Sequence, residues 1–364
     1  MTPTEDLVRL GLSSPRTLAV LSLSDWDLLI RQARSAGVLG RLQALLEQTG
    51  LLDQVPAAPR NHLEAARKVA LSRERIVRWE IYCIQRALAS LPTEVVLLKG
   101  AAYILANLPP AGGRLQSDVD ILVPKSEIHA VESALLGHGW KNLKFDKYDQ
   151  RYYRRWMHEL PPLYHPQRGT VVDVHHNILP ETSRLRPSPE KLLQAAEFIA
   201  GTHFKRLCAA DMVLHTSAHM FQDGDLERGL RELGDLDGLL RAFGVESGFW
   251  RGLLDRAVEM DLHRPLFYAL RYSRRFLQTP VPENVIVASK EWEPPALVLG
   301  LMDRLVTRAL VPKHSTTATF GTDIARWLLY VRSHWLRMPP FLLARHLLHQ
   351  AVRGLFPNRS GTLP

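Results

Sequence analysis

The sequence has little cysteine and no long apolar run. Its two cysteines, Cys83 and Cys208, stand far apart in helix-like apolar patterns, so they predict neither a disulfide framework nor a cysteine zinc cluster. No window reaches the roughly 18 uncharged apolar residues that a membrane span requires. The first residues also lack the basic start and apolar run of an export signal. We therefore expect a protein of the reducing cytoplasm.

Acidic residues are absent from the end of the chain. From Ile324 to Pro364 the sequence carries six arginines and no Asp or Glu, and the whole protein has a formal net charge of +9. A basic helix that also bears Trp, Phe and Leu can rest on an anionic membrane surface, but a packed helix with solvated arginines has the same pattern. The tail predicts at most a weak contact with anionic membranes, and no motif that reads nucleic acid accompanies it.

Helical periodicity dominates both ends of the chain. Apolar residues recur every three or four positions from Ser24 to Gly50, from Pro59 to Leu91 and again beyond Pro187, where no strand stands out. The middle third instead has short β-branched runs separated by Pro and Gly turns. Helical segments therefore flank a region that mixes helix and sheet.

The length of 364 residues suffices for about two compact domains. We predict an α+β fold in which a small mixed-sheet core is flanked by helices. The predicted divisions are an N-terminal helical region at residues 1–92, an α/β core at residues 93–186, and a C-terminal helical domain with the basic tail at residues 187–364.

Two aspartates stand at the start of a predicted strand in the segment GRLQSDVDILVP. Side chains two positions apart on a strand project to the same face, so Asp118 and Asp120 aim at one point while Val119 enters the core. Two such charges 4 Å apart repel by about 4 kcal/mol at an effective dielectric near 20. A hard divalent cation such as Mg²⁺ relieves this repulsion. An Asp-x-Asp pair also occurs where one acid caps a turn or faces water.

A third carboxylate, Asp173, lies in the predicted strand TVVDVHH. If this strand pairs near the first, three carboxylates converge on one face of the sheet. Such a group can hold one or two metal ions and activate a hydroxyl for in-line attack on a phosphorus atom. Asp173 is then both a metal ligand and the candidate base.

The order of these elements resembles the nucleotidyltransferase superfamily of DNA polymerase β. That superfamily has a Gly-Gly or Gly-Ser turn after a first strand, Asp-x-Asp on the second strand and one more acid on a later strand. The segments VVLLKGAAYILANL, GRLQSDVDILV, VVDVHHNIL and LRELGDLDGLL are similar to a bacterial family described as uncharacterised nucleotidyltransferases. The resemblance covers Glu94 to Phe243. It implies a nucleotidyltransferase core in which Asp118, Asp120 and Asp173 bind Mg²⁺ or Mn²⁺ and carry the catalysis.

The chain departs from the superfamily pattern at the turn. Lys99 and Gly100 replace the usual Gly-Gly or Gly-Ser, and an inserted LPPAGGR loop lengthens the gap to Asp118. Lys99 supplies a point charge for a triphosphate in one interpretation, while Gly100 allows the backbone to approach it. In the other interpretation, Lys99 is a solvated strand end and Gly100 an ordinary turn residue.

Arg114 and Ser117 precede the acids in a glycine-containing loop. The guanidinium of Arg114 can grip a phosphate through two hydrogen bonds, or it can offset the strand aspartates in a salt bridge. Ser117 is assigned to the same nucleotide-binding group, although capping of backbone amides is an equally ordinary role for a serine.

Histidines supply possible supporting groups. His175 shares the face of Asp173, and His158 ends the strand-like run RWMHEL that can neighbour it. Either can orient a metal-bound carboxylate or act as an acid or base, or simply pack beside the cleft. His215 and His219 are one helical turn apart but have no intervening glutamate, so they do not favour zinc.

The resemblance implies that a nucleoside monophosphate moves from a nucleoside triphosphate, for example ATP, to an acceptor hydroxyl, with release of pyrophosphate. The acceptor stays open among a protein side chain, a small molecule or sugar, and an RNA end. Two further hypotheses keep the fold: a non-catalytic protein that binds or senses a nucleotide, and a nucleotidyltransferase toxin. The presence of all three acids favours the enzyme.

Overall fold

The computed structural model describes residues 7–143, 153–154, 156–223, 226–317 and 319–338. Helices surround a single mixed sheet, so the predicted α+β class is confirmed. None of the described helices is both long enough and apolar enough to cross a membrane. The predicted division of the chain into three regions stays a prediction.

Helices occupy the N-terminal part. Their bounds are α1 (Leu7–Ser13), α2 (Leu23–Ser35), α3 (Leu39–Gln48) and α4 (Ala57–Leu88). Helix α2 begins with a capping box, in which Ser22 and Asp25 each bind the other's backbone amide. The sequence predicted one helix from Ser24 to Gly50, but Gly37, at φ 69°, separates α2 from α3.

The sheet has seven strands in the order β3-β4-β5-β2-β1-β7-β6. Their bounds are β1 (Val96–Leu97), β2 (Asp118–Leu122), β3 (Lys141–Asn142), β4 (Leu163–His165), β5 (Thr170–His175), β6 (Glu197–Phe198) and β7 (Lys205–Arg206). Strand β2 lies between β1, which is antiparallel to it, and β5, which is parallel to it. Helix α5 (Lys99–Leu105) follows β1, and α6 (Ile128–Gly137) follows β2. The predicted strand order around the acids is therefore present.

The expectation that no strand lies beyond Pro187 is wrong. Strand β7 pairs in parallel with β1, and β6 pairs antiparallel with β7 at the edge of the sheet. Each of these strands has two residues, which is too short for an alternating apolar pattern to appear in the sequence. The sheet thus takes two strands from the segment that the sequence assigned to a helical domain.

Helices make up most of the C-terminal part. Their bounds are α7 (Pro189–Gln194), α8 (Ala209–Ala218), α9 (Gly229–Phe243), α10 (Phe249–Glu259), α11 (His263–Leu277), α12 (Glu283–Ser289), α13 (Ala296–Ala309) and α14 (Phe320–Arg337). Helix α14 contains the start of the predicted basic tail. The rest of that tail, residues 339–364, lies outside the described residues, so its contact with a membrane surface stays a prediction.

A continuous apolar core joins the sheet to the N-terminal and C-terminal helices. Leu97 and Ile121 of the sheet have no exposed surface, and neither does Leu233 of α9. All three belong to one cluster of buried side chains that extends from α1 to α14. Burial of this kind is the main favourable term in folding, and here it fixes α9 and α14 beside the sheet.

Candidate functional site

The three predicted carboxylates lie on one face of the sheet. In the parallel pair of β2 and β5, Asp120 is directly opposite Asp173, and Asp118 is opposite Val171. Residues in register on neighbouring strands point to the same side, and the strands are about 4.8 Å apart. The sequence could establish only that Asp118 and Asp120 share a face, so this register supplies the missing link to Asp173.

Asp120 is buried and contacts Lys99 and His175. Its Oδ1 lies 3.3 Å from Nζ of Lys99 and 3.2 Å from Nε2 of His175. Burial alone would raise the pKa of Asp120, but the Lys99 ammonium and the hydrogen bond from His175 hold it well below its usual range. The same hydrogen bond, together with the charge of Glu159, outweighs burial and raises the pKa of His175. Asp120 is therefore an ionised carboxylate.

Asp173 has the opposite electrostatic character. Burial, reinforced by the charges of Asp120, Glu159 and Asp118, raises the pKa of Asp173 to about 7. Its Oδ1 is buried and has no hydrogen-bond partner among the described residues. A buried acceptor without a donor costs about 1 to 3 kcal/mol. Asp173 is the carboxylate in the site that most needs a cation or a proton.

These acids suit a hard divalent cation. They supply oxygen ligands on one face, as Mg²⁺ and Mn²⁺ prefer, and the unpartnered Oδ1 of Asp173 is available to coordinate one. The carboxylate oxygens are not all within 4.8 Å of one another. Asp118 accepts a hydrogen bond of 2.9 Å from Nε2 of Gln116, while Asp120 turns to Lys99.

Lys99 and Gly100 connect β1 to α5 through an unusual backbone. Lys99 has a φ of 43°, which is uncommon for a residue with a side chain. A Cβ on Gly100 would lie 1.9 Å from Oε1 of Gln116 and 2.2 Å from Nη1 of Arg114. Glycine is thus required here for the close approach of two polar side chains, in addition to any role beside a phosphate.

Arg114 forms a buried salt bridge with Asp235 of α9. Its Nε donates to Oδ2 of Asp235 at 2.9 Å, and Arg41 of α3 donates to the other oxygen of the same carboxylate. Arg41 also donates to the backbone carbonyl of Gly234 at 2.8 Å. The salt-bridge alternative for Arg114 is therefore correct in kind but wrong in partner, because the partner is Asp235 of α9 rather than a strand aspartate.

The loop before β2 presents Gln116 rather than Ser117 to the site. Ser117 is exposed and is not among the residues that line the cavity described below. Gln116 is buried, and its Nε2 donates to the backbone oxygen of Asp118 at 2.6 Å and to its carboxylate. No spacing or composition signal distinguishes Gln116 in the sequence, because its orientation depends on the space left by Gly100.

A cavity of about 700 Å³ lies against the acids. Lys99, Arg114, Asp118 and Asp120 line it, whereas Asp173 does not. Helices α9 and α14 contribute arginines and aromatic side chains to its lining. From these two helices, the lining includes Arg231, Arg326, Trp327, Tyr330 and Arg337.

The arginines of this cavity include unused hydrogen-bond donors. Nε of Arg231 and Nη1 of Arg326 are buried and have no hydrogen-bond partner within the described ranges. Burial, with a smaller contribution from the charge of Arg114, lowers the pKa of Arg231. Trp327 and Tyr330 are 62% and 46% exposed. Helix α9 carries the segment LRELGDLDGLL of the family resemblance, whereas no motif in the sequence placed α14 near the acids.

His158 and His175 lie next to each other behind the carboxylates. Their ring centroids are 5.3 Å apart. An isolated antiparallel bridge joins Glu159 to His175, the last residue of β5. The chain after His158 therefore lies beside the C-terminal end of this strand. Within the run RWMHEL, Trp156 is helical rather than strand-like, whereas Glu159 near its end forms the bridge.

The other histidine pair does not form a comparable cluster. His215 is buried in α8, and His219 lies 3.3 Å from Oε1 of Glu232. Burial and the Lys99 charge lower the pKa of His215 well below its usual value. Within the described ranges, the group of metal-binding residue types that comes together is His158, Glu159 and His175. Glu159 was missed, although it directly follows His158.

Comparison with known proteins agrees with this geometry. No curated protein and no solved structure matches the chain. The model of a family described as uncharacterised nucleotidyltransferase matches residues 22–278. That span contains β1, β2, β5 and α9, which carry the acids and Asp235, and it ends before α14. Because the match covers well over half of the sequence, the chain belongs to this nucleotidyltransferase family.

Proposed function

We propose that this protein is a Mg²⁺- or Mn²⁺-dependent nucleotidyltransferase of the DNA polymerase β-like superfamily. It moves a nucleoside monophosphate from a nucleoside triphosphate to an acceptor hydroxyl and releases pyrophosphate. The observation that carries the proposal is the register of Asp120 with Asp173, on the face shared with Asp118. Membership of the nucleotidyltransferase family supports the class of reaction.

The three carboxylates are the proposed metal ligands. When bound, the ion supplies positive charge to the phosphate oxygens and orients the α-phosphate for in-line attack. Asp118 and Asp120 border the cavity, so they are the ligands that face a nucleotide. Lys99 balances the charge of Asp120 across 3.3 Å. His175 holds the same carboxylate in position through its hydrogen bond.

Asp173 is the proposed base. A pKa of about 7 suits a group that must accept a proton near neutral pH. In the transfer step, the acceptor oxygen forms a bond to the α-phosphorus while the bond from that phosphorus to the pyrophosphate oxygen breaks. The proton of the acceptor hydroxyl passes to Asp173, and pyrophosphate leaves with the bonding electrons.

The cationic side of the cavity is the proposed triphosphate site. The unpaired Nε of Arg231 and Nη1 of Arg326 are donors that phosphate oxygens can satisfy. Lys99 and Arg114 lie on the same cavity and add positive charge. Gly100 contributes by leaving room for Arg114. Ser117 is the weakest member of the predicted nucleotide-binding group, since it does not line the cavity.

The acceptor and the cellular setting are further parts of the proposal. A protein side chain, a small molecule or sugar, and an RNA end all carry a suitable hydroxyl. We propose a bacterial, cytoplasmic protein, in keeping with the family that its motifs resemble. A weak contact of the basic tail with anionic lipid remains part of the same hypothesis.

A labelling experiment tests this proposal. Each nucleoside triphosphate, labelled at the α-phosphate, is incubated with the protein, Mg²⁺ or Mn²⁺, and a cell extract that supplies acceptors. We expect transfer by the parent protein and a fall of at least about 100-fold in Asp120→Asn. Asp255→Asn is the matched control, because this aspartate is 75% exposed and far from the acids in sequence. Equal labelling by Asp120→Asn and the parent would contradict the proposed site.

Two further observations distinguish the proposed enzyme from the two alternative functions. Nucleotide binding by the parent without any transfer, across all triphosphates and extracts, would indicate a nucleotide-binding protein on this fold. Growth arrest on expression, relieved by Asp120→Asn, would instead indicate a toxin. Either result would redefine the function while leaving the nucleotide site in place.

A further inference from the structure

The cluster of His158, Glu159 and His175 lies beside the carboxylates but is not used by the proposed transfer except through one hydrogen bond. One ligand atom from each residue lies within 4.8 Å of the others. His175 is 2% exposed, and Glu159 keeps 18% of its side chain exposed. His175 is therefore shielded from solvent, whereas His158 and Glu159 are partly exposed.

Hydrogen bonding leaves this cluster incomplete. His175 directs Nε2 to Asp120 at 3.2 Å, which leaves Nδ1 on the opposite side of the ring, towards Glu159. That Nδ1 lies 3.3 Å from Oε2 of Glu159 but makes no hydrogen bond with it. Nδ1 of His158 is also buried without a partner in the described part of the chain. Two ring nitrogens in this cluster are thus left without a hydrogen bond among the described residues, beside a glutamate carboxylate.

We infer that His158, Glu159 and His175 form a binding site for a transition-metal ion, with Zn²⁺ as the best match. Two histidines and one glutamate, with one position left for water, are a recurring ligand set for zinc. In a tetrahedron with metal–ligand bonds of about 2.0 Å, ligand atoms are about 3.3 Å apart. The separation of 3.3 Å between His175 and Glu159 matches that edge. The remaining ligand atom, on His158, lies within 4.8 Å of the other two.

The electrostatic state of His158 is consistent with coordination. Burial and the charges of His175 and Lys99 lower the pKa of His158 well below its usual value. It is therefore a neutral imidazole, which is the form that binds metals. A protonated His175 would satisfy Glu159 alone, whereas a metal ion also gives the unpartnered ring of His158 a role.

The arrangement also assigns a task to such an ion. A metal-binding histidine commonly donates its second ring nitrogen to a carboxylate, which fixes the ring and its tautomer. Here that carboxylate is Asp120, through Nε2 of His175. An ion bound to Nδ1 would hold the proton on Nε2 and keep Asp120 aimed at the cavity. His158, Glu159 and His175 would then be positioning residues, separate from the Mg²⁺ ligands.

Cobalt substitution tests the site without any nucleotide. The full chain is stripped with a chelator, placed in excess Mg²⁺ and titrated with Co²⁺, whose tetrahedral complexes absorb strongly in the visible range. We expect one Co²⁺ per chain with an intense visible band that Zn²⁺ displaces. Binding should weaken at least about 10-fold in Glu159→Gln and in His158→Gln.

Two controls distinguish this site from its neighbours. Asp118→Asn alters the proposed Mg²⁺ site alone and should keep the band. His165→Gln alters another buried histidine whose Nδ1 is unpartnered but which has no place in the cluster, and it should also keep the band. Circular dichroism confirms that each variant is folded.

Two results would overturn the inference. One is a parent protein that develops no tetrahedral band. The other is a band that persists at full strength in folded Glu159→Gln and His158→Gln. The inference does not rest on the proposed nucleotidyl transfer, so a protein that transfers nucleotides without binding Co²⁺ would refute only this site.

Discussion

Asp173 provides a prediction whose size follows from its environment. Its pKa in the folded protein is about 7, against 3.8 for an ordinary aspartate. The folded state therefore binds more protons than the unfolded state between these two values, and stability falls as the pH rises through this window. The full shift corresponds to about 4 kcal/mol, of which up to about 2.5 kcal/mol is lost between pH 5 and pH 8.

Replacement of Asp173 by asparagine removes this proton-linked loss. In urea unfolding with a chelator present, the stability of Asp173→Asn relative to the parent should increase by up to about 2.5 kcal/mol from pH 5 to pH 8. Two histidines also make stability depend on pH: the raised pKa of His175 lowers stability as the pH rises, and the lowered pKa of His158 acts in the opposite direction. Both contributions are present in the parent protein and in Asp173→Asn, so the difference between the two proteins isolates Asp173.

The proposed Mg²⁺ site predicts a second difference between the parent protein and Asp173→Asn. At pH 8, millimolar Mg²⁺ should stabilise the parent protein, because an ion that binds only the folded state adds RT ln(1 + [Mg²⁺]/Kd) to its stability. The same addition should have much less effect on Asp173→Asn. A difference between the two proteins that stays constant from pH 5 to pH 8 would refute the electrostatic reasoning for Asp173.

Three other substitutions test the surroundings of the acids. Gly100→Ala should destabilise the protein by about 1 to 3 kcal/mol in thermal or urea unfolding, because the added methyl group collides with Arg114 and its neighbour. Asp235→Asn should cost about 3 to 5 kcal/mol in the same assay, since it leaves Arg41 and Arg114 buried without their shared carboxylate; a loss below about 1 kcal/mol would show that the pairing is dispensable. Arg231→Ala should weaken triphosphate binding about 10-fold in calorimetry while the fold is retained, and unchanged affinity would exclude this arginine from the phosphate site.

The sheet and its acids were largely predictable because they depend on local patterns. A period of two places Asp118 and Asp120 on one face, and the β-branched run around Asp173 marks another buried strand. Their convergence still needed the register of β2 with β5. Gln116 was not predictable, because its position depends on the absence of a side chain at Gly100.

The cationic part of the cavity was beyond sequence reasoning for a different reason. Arg231 and Arg326 are separated from the acids by about 60 to 210 residues. Helical periodicity predicts which face of a helix is apolar but not which cavity its polar face lines. The pairing of Arg114 with Asp235 was missed because Asp235 lies on α9, far from Arg114 in the sequence. The match between the chain and its family also ends at residue 278, before α14.

The central claim is that Asp118, Asp120 and Asp173 transfer a nucleoside monophosphate rather than a phosphate. The most direct measurement compares a triphosphate labelled at the α-phosphorus with one labelled at the γ-phosphorus, each with the parent protein, Mg²⁺ and the same acceptor pool. The account predicts that only the α-label enters the acceptor, that the γ-label leaves in pyrophosphate, and that Asp120→Asn abolishes both. Retention of the γ-label on the acceptor, or undiminished α-labelling by Asp120→Asn, would contradict it.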